Sequence, residues 1–318
     1  MNYALVVDSA AALPESILQS DSIFVLPIVI NFDGETQDDV ISESELIRLY
    51  QGNELTVKTK LTTAPPSPEQ VKEYLLSKVV PNADNVICLS LSKATSPTFE
   101  NVKRATEAIA DDAREVRAEL GIKKPFKIAA LNSATTIAGY GLVAIYADRL
   151  LSQEKDLDRA AEIVNKFIKV TRTYVIVRDL VYSRNRALQR GVKTIGYSAA
   201  LLGKTIGLTP IVEITQDKNT PVATIKSFFG ALEQIVIYLT QRIEEGLFFN
   251  VINISYAGDL QDLFAIASIE RLKSVAEQHK VKLLFGVMGL ASSTVYGPGA
   301  FSVGIAPKNQ SDSPGQDT

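Results

Sequence analysis

The fold of this chain is decided by the stretch Asn85-Val86-Ile87-Cys88-Leu89-Ser90-Leu91-Ser92-Lys93-Ala94-Thr95-Ser96-Pro97. Its aliphatic first half is typical of a strand buried on both faces of a parallel sheet. The pair Ser96-Pro97 then predicts a helix start, because serine caps helices and proline is favoured in their first turn. The stretch therefore indicates a strand followed by a helix, the repeating unit of α/β folds.

The same alternation extends to both sides of this stretch. Further strands are predicted at Tyr3–Val7, Ile23–Ile30 and Phe126–Leu131. A single long helix after Pro97 is predicted to reach Leu120, because apolar residues recur there every three or four positions. Asn132-Ser133 predicts the start of another helix. We therefore expect residues 1–170 to form a three-layer domain with a parallel sheet between helices.

The pattern changes after residue 170. Strands are predicted at Tyr174–Val177, Pro210–Ile214, Val222–Ile225, Phe249–Tyr256, Val281–Val287 and Phe301–Ile305. Helices are predicted only at Phe228–Gly246 and Leu260–Gln278. We expect residues 171–307 to form a second α/β domain, with a mixed sheet that carries helices on one face. The polar segment 308–318 contains proline and glycine, which predicts a disordered tail.

Composition excludes several classes of function. The chain is 46% hydrophobic and 22% charged, the mixture of an ordinary globular protein. Its formal net charge is −3 and it has no dense Lys/Arg run, so neither nucleic acid nor an anionic membrane is expected as a partner. The sequence begins with a predicted strand and not a signal peptide, and no apolar run approaches roughly 18 residues. We expect a soluble, cytoplasmic protein.

The chain has one cysteine, Cys88, and one histidine, His279. These counts exclude an internal disulfide and a Cys-rich metal site, and a catalytic triad would have to be built around His279. Cys88 lies in a predicted buried strand, and His279 lies in a polar stretch at a predicted helix end. Gly203-Lys204-Thr205 fails as a phosphate loop, because Ser198 stands where that motif needs a glycine. We expect a binding protein without metal or cofactor, and not an enzyme.

Hydroxyl-bearing residues mark the candidate site. They occur near predicted strand ends, as Ser9 beside Asp8, the pair Thr62-Thr63, and Ser92, Ser96 and Ser133. In a parallel sheet the carboxyl ends of strands meet at one edge, where helix amino-termini favour an anion. Each serine taken alone is also explained as a helix cap. Their convergence on one edge, with Thr63 in no capping position, favours an anion-binding site.

An ordered series of segments resembles the DegV family, the fatty-acid-binding proteins that serve as lipid-presenting subunits of bacterial fatty acid kinase. The resemblance extends over nearly the whole chain, up to about Pro307. The similar segments are Val7–Pro14, Leu26–Ile28, Asp38, Thr63–Pro68, Leu91–Phe99 and Tyr296–Ala300. In that family a threonine and a serine at the positions of Thr63 and Ser96 hold the lipid carboxylate.

The resemblance implies a long-chain fatty acid whose acyl chain lies in a tunnel between the two domains. Thr63 and Ser96 are the implied carboxylate ligands, with Thr98 of the same segment as a third. Asp8, Ser9, Thr62, Ser92, Ser133 and Val295 are secondary candidates for the lining. Burial of about fourteen methylenes at roughly 0.8 kcal/mol each contributes on the order of 11 kcal/mol, which offsets much of an association cost of about 4–15 kcal/mol.

Three positions depart from the family pattern. Val295 stands where the family has a histidine, and Lys193 and Lys226 stand where it has arginines, whose planar fork lysine does not reproduce. Histidine and arginine are groups expected near a phosphotransfer site, so these departures concern partnership with a fatty acid kinase and not the fold. One alternative is a degenerate member that binds another lipid or acts without the kinase. Another is a small-molecule transferase or hydrolase that uses Asp8, Ser9 and Asp38.

Overall fold

The computed structural model describes residues 3–39, 42–52, 54–189 and 207–315. These ranges do not include Lys193, Ser198 or the segment Gly203-Lys204-Thr205. The strands, numbered in chain order, are β1 Tyr3–Asp8, β2 Ile23–Leu26, β3 Val29–Phe32, β4 Glu35–Asp38, β5 Leu61–Ala64, β6 Asn85–Ser90, β7 Lys127–Asn132, β8 Arg172–Ile176, β9 Leu208–Thr215, β10 Lys218–Lys226, β11 Val251–Tyr256, β12 Lys282–Val287 and β13 Phe301–Ile305.

The helices range from single turns to the eighteen-residue Phe228–Glu245. In chain order they are α1 Glu15–Leu18, α2 Glu43–Gln51, α3 Pro68–Tyr74, α4 Thr98–Glu107, α5 Ala110–Glu119, α6 Ile137–Leu151, α7 Leu157–Val170, α8 Leu180–Gln189, α9 Phe228–Glu245, α10 Leu260–Phe264, α11 Ala267–Gln278 and α12 Leu290–Tyr296. A π-helical turn, Leu75–Val79, extends α3. Within the described ranges, every helix is too short or too polar to cross a bilayer.

The first domain is built on a parallel sheet in the order β2-β1-β6-β7. Helices α3, α4 and α5 and the π-helical turn cover one face, while α6 and α7 pack on the other. This confirms the expected parallel sheet between two helical layers. Cys88 lies buried in β6, as its aliphatic surroundings predicted.

Helix α6 lies between the two main sheets. It contacts β1 on one side and β11 and β13 on the other, and most of its residues are buried. Glycine makes this close approach possible, because a Cβ on Gly141 would lie 2.4 Å from the Ala12 carbonyl oxygen. A Cβ on Gly304 of β13 would lie 2.5 Å from the Ala138 carbonyl oxygen. The absence of a side chain at Gly141 and Gly304 therefore allows α6 to pack closely against both domains.

The second domain contains the mixed sheet β10-β9-β8-β13-β11-β12, in which only β11 and β12 pair in parallel. Helices α9 and α11 cover its outer face. The two helices predicted for this domain therefore lie on one face of its sheet, as expected, and α6 of the first domain covers the other face. The segment after Lys308, predicted to be disordered, packs on this domain as far as Gly315. Arg242 donates to the Asp312 carboxylate there at 3.1 Å.

A small antiparallel sheet, β4-β3-β5, was not foreseen. The predicted strand Ile23–Ile30 is instead two strands, with β2 in the parallel sheet and β3 in the small sheet. Pro27 lies at the break, where its missing N–H prevents a continuous ladder. This sheet carries Thr62 and Thr63 on β5, opposite Asn31 and Ile30 of β3.

Two predicted helices are interrupted. The helix after Pro97 divides into α4 and α5 at Ala108, and the predicted helix Leu260–Gln278 divides into α10 and α11 at Ala265. The halves of each keep apolar residues on the core side, so periodicity alone did not reveal the breaks. Helix α6 begins at Ile137 and not after Ser133, whose hydroxyl donates to the Thr135 carbonyl oxygen at 3.0 Å.

Candidate functional site

A pocket of about 390 Å³ lies between the two domains. Its volume falls within the roughly 300–1,000 Å³ typical of small-molecule sites. Hydroxyl and amide groups line part of it, namely those of Thr62, Thr63, Thr95, Ser96, Thr136, Gln189, Ser292 and Tyr296. Apolar groups line the rest, namely Ala10, Ile28, Pro65, Leu91, Pro97, Ile137, Ala291 and Val295. The described lining contains no Lys, Arg, Asp or Glu.

Strand β5 brings Thr62 and Thr63 to the pocket. Both side chains are exposed, and neither hydroxyl makes a hydrogen bond to another described residue. Pro65 and Pro66 end the strand immediately after Ala64, and Ser67 then caps α3 in a capping box with Gln70. The two threonine hydroxyls therefore remain available to a ligand.

Ser96 reaches the pocket from the loop after β6. Its hydroxyl accepts the Thr98 N–H at 3.3 Å and lies 2.8 Å from the Thr98 hydroxyl. Helix α4 begins at Thr98 with Pro97 as its N-cap, so Ser96 both supports the helix start and faces the cavity. Thr98 itself is fully buried behind Ser96 and lines no part of the pocket. It orients the Ser96 hydroxyl.

Helix α12, which contacts β5, forms another part of the pocket wall. Val295, Ser292 and Tyr296 line the pocket, and of these only Val295 was a candidate from the sequence. Ser292 and Val295 are three residues apart, a spacing that places them on one helix face. The Tyr296 hydroxyl lies 3.4 Å from the hydroxyl of Thr136. Helical spacing from Val295 was the signal that could have found Ser292.

Helix α8 makes hydrogen bonds both to α12 and to the first residue of β5 in the small sheet. Ser183 donates to the Val295 carbonyl oxygen at 2.9 Å. The buried Arg186 donates to the Thr56 carbonyl oxygen at 2.9 Å and to that of Leu61, the first residue of β5, at 3.4 Å. Its guanidinium also lies 4.9 Å from the ring centre of Tyr182. These contacts position β5 and α12 relative to each other.

Ser92 and Ser133, two of the secondary candidates, lie outside the pocket lining. The buried Ser92 hydroxyl donates to an Asp217 carboxylate oxygen at 2.6 Å, and Ser133 forms the local turn described above. Lys226 is exposed at the end of β10 and does not reach the described pocket lining. His279 is exposed after α11, where the sequence predicted it.

Asp8 and Ser9 line a separate cavity of about 90 Å³. The acid that joins them is Asp39, and the prediction of Asp38 is wrong because Asp38 is exposed at the end of β4. Successive residues of an extended chain point to opposite sides, so a shift of one residue exchanges a buried acid for an exposed one. Glu43 of α2 also lines this cavity.

Burial raises the pKa of Asp8 from 3.8 to about 7, against the opposing effect of the Leu91 and Ala10 N–H groups that the carboxylate accepts. Burial likewise raises the pKa of Asp39 to about 7, opposed first by the N–H of Ala291 in α12, which donates to it at 3.1 Å. These contacts connect β1 to Leu91 and the end of β4 to α12. In the described part of the chain, no group of His, Cys, Asp and Glu has the arrangement of a metal site.

Known proteins are similar to this chain in sequence and in fold. The model of the DegV family matches residues 2–308. A DegV domain-containing protein of Xanthomonas axonopodis pv. citri is 30% identical over 306 residues, which are 96% of this chain and 98% of the relative. The solved structure of a stearic-acid-binding protein from Eubacterium ventriosum has a TM-score of 0.75 at 19% identity. The match covers 96% of this chain and 98% of the chain of that structure.

A second solved structure, the fatty acid binding protein DegV from Bacillus subtilis, gives a TM-score of 0.74 at 19% identity. The match covers 97% of this chain and 100% of the chain of that structure. At these identities the two solved structures show the fold, the two-domain arrangement of a parallel sheet and a mixed sheet. The expected fold class is thereby confirmed.

Proposed function

Because this chain belongs to the DegV family, we propose that it binds a long-chain fatty acid in the pocket between its two domains. The observation that carries the proposal is the meeting of Thr63 and Ser96 in one cavity with an apolar wall. Relatives of the same fold from Eubacterium ventriosum and Bacillus subtilis are described as fatty-acid-binding proteins. The function is binding, with no chemistry of its own.

The carboxylate is held by neutral donors in this proposal. A carboxylate removed from water needs hydrogen bonds, because otherwise burial favours its protonated form. Thr63 and Ser96 supply two hydroxyl donors, and Thr98 orients the second of them. Ser292 supplies a third donor one helical turn before Val295, where the family pattern has a histidine. The hydroxyl of Ser292 thus takes over part of the role of that side chain.

The acyl chain extends along the apolar lining in this proposal. Ile28, Leu91 and Ile137 from the first domain line the cavity together with Ala291 and Val295 of α12. Each methylene removed from water stabilises the complex by about 0.8 kcal/mol. Chain length thus governs affinity, while the hydroxyl groups select the carboxylate.

Native mass spectrometry of the protein as purified tests the proposal, with the expected result of one bound fatty acid per chain. The double variant Thr63→Val/Ser96→Ala removes two hydrogen bonds to a charged group, at about 1.5–3 kcal/mol each, and is expected to weaken binding by about 100-fold or more. The exposed Thr220 of β10 offers a matched control, Thr220→Val, which should bind like the wild type. An empty protein, or a double variant with unchanged affinity, would contradict the proposal.

We further propose that the bound lipid is presented to a fatty acid kinase. The family resemblance supports this step, whereas Val295 and Lys226 depart from the family pattern. Mixing the lipid-loaded protein with a fatty acid kinase and ATP should produce an acyl phosphate, detected by mass spectrometry after trapping with hydroxylamine. Retained fatty acid without acyl phosphate would leave binding in place and reject presentation.

A further inference from the structure

The hairpin between β9 and β10 carries a carboxylate across the domain boundary. Gln216 and Asp217 form its tip, with φ values of 50° and 61°. The Asp217 carboxylate accepts the Ser92 hydroxyl at 2.6 Å and the Asn132 amide at 2.8 Å. Its backbone N–H donates to the Ala134 carbonyl oxygen at 2.8 Å. One residue of the second domain therefore binds two loops of the first domain, at the carboxyl edge of the parallel sheet.

The first of these loops carries Ser96. Ser92 accepts the N–H groups of Thr95 and Ser96 at its carbonyl oxygen, at 2.9 and 3.2 Å, so the turn that presents Ser96 is built on Ser92. The Ser92 hydroxyl also accepts the Ala94 N–H at 3.3 Å. Fixing the Ser92 side chain consequently fixes the direction in which Ser96 faces the pocket.

The second loop, residues 132–137, carries Thr136 and Ile137 into the pocket lining. Ala134 and Ile137 have left-handed φ values of 55° and 49°, which a β-branched residue rarely adopts. Such a conformation persists only where surrounding contacts determine it. For Ala134 the Asn132 side chain provides such a contact, because its amide oxygen accepts the N–H groups of Lys93 and Ala134 at 3.1 Å, while its NH₂ group donates to Asp217.

We propose that Asp217 is a positioning residue for the lipid head group, an inference that rests on the proposed function. It touches no part of the described pocket lining, and acts through Ser92 and Asn132 on the two loops that face the carboxylate. A hydrogen bond to an ionised acceptor is shorter and about twice as strong as one between neutral groups, so a carboxylate suits this role. The second domain thereby sets the selectivity of a site whose donors lie largely in the first domain.

Head-group selectivity separates positioning from general stability. Affinities for hexadecanoic acid and hexadecan-1-ol are measured by displacement of a fluorescent polyene fatty acid from the delipidated full-length protein. Hydroxyl groups that are out of place form weaker hydrogen bonds to the carboxylate of the acid. The acyl contacts are the same for the acid and the alcohol, so they do not change the ratio of the two affinities. We expect Asp217→Ala to weaken acid binding about tenfold and to change alcohol binding less than about twofold. Ser92→Ala should act in the same direction.

Two further variants complete the test. Asp217→Asn keeps an oxygen that can accept one of the two donors, so it should regain most of the lost acid affinity. Asp312→Asn is the matched control, because it makes the same chemical change in another carboxylate that joins two segments, at Arg242. It should leave both affinities unchanged. If Asp217→Ala does not fold, Ser92→Ala decides, because it removes the hydrogen bond to Asp217 from the donor side.

Equal losses for acid and alcohol, or unchanged acid binding in both Asp217→Ala and Ser92→Ala, would overturn the positioning role. A delipidated wild type that binds neither ligand would instead reject the proposed function, and the inference with it. Wild-type binding without selective loss in the variants rejects the inference alone.

Discussion

Asp8 and Asp39 should make this protein less stable at pH 8 than at pH 5. Both carboxyl groups are buried, and burial raises the pKa of each from 3.8 to about 7 in the folded state. Between pH 4 and 7 the unfolded chain releases these protons while the folded protein keeps them. The stability that protonation confers is therefore complete below pH 4 and is lost as the pH rises through 7.

The magnitude follows from the two pKa values. One pKa unit corresponds to about 1.4 kcal/mol, so each group should lower the free energy of unfolding by about 2–3 kcal/mol between pH 5 and pH 8. Exposed acids such as Glu45 and Asp112 have lowered pKa values, so their small contribution has the opposite sign and is confined to the acidic end of this range. The chain has a single histidine, which limits other contributions in this range.

Urea unfolding followed by circular dichroism at pH 5, 6, 7 and 8 measures the effect. Asp39→Asn should remove about half of the pH dependence, because the amide is neutral throughout and can still accept the Ala291 N–H. Asp38→Asn, at the exposed neighbouring position, is the matched control and should keep the wild-type slope. A wild-type stability that is constant or rises from pH 5 to pH 8 would refute the reasoning, as would an unchanged slope in Asp39→Asn.

Two substitutions test the packing that surrounds the site, each followed by urea unfolding at constant pH. Tyr140→Phe removes the hydroxyl that donates to the Leu89 carbonyl oxygen at 2.6 Å and accepts the Asp8 N–H at 2.9 Å, and should cost about 2–4 kcal/mol. Tyr146→Phe, a tyrosine used for ring stacking, is its control, and equal losses would contradict the first expectation. Gly304→Ala places a Cβ 2.5 Å from a backbone oxygen of α6, and should cost about 3 kcal/mol. Wild-type stability in this variant would show that α6 does not lie so close to β13.

Local pattern accounts for much of the first domain. The aliphatic run of β6 and the serine-proline start after it predicted a βα unit, and the structure has one. The capping box of Ser67 and Gln70, two residues three positions apart, begins α3. Such features depend on residues close together in the chain, whose propensities and hydrogen bonds act before any distant contact forms. Helix breaks at Ala108 and Ala265 escaped this reasoning, since both halves bury the same apolar face.

The direction in which a side chain faces was harder to predict than the element on which it lies. Thr98 follows Ser96 by two residues, and only the packing of α4 decides that Thr98 is buried while Ser96 faces the cavity. Asp39 was missed in favour of Asp38 for the same reason, because a shift of one residue exchanges the two sides of an extended segment. A Cβ on Gly139 or Gly141 would collide with Thr173 or Asn253 of the second sheet, a role of these glycines that only the packing of α6 reveals.

The sequence by itself determined the fold class, the family and the places where hydroxyl groups end strands or precede helices. The fold class and the hydroxyl positions follow from the period of apolar residues and from capping chemistry, which operate over a few residues. The family follows from the ordered series of similar segments along the chain. Only the tertiary structure decided which hydroxyls meet in the pocket and that Asp217 reaches the loops behind them. Those contacts join residues more than eighty positions apart, and their geometry depends on how two sheets pack against one shared helix.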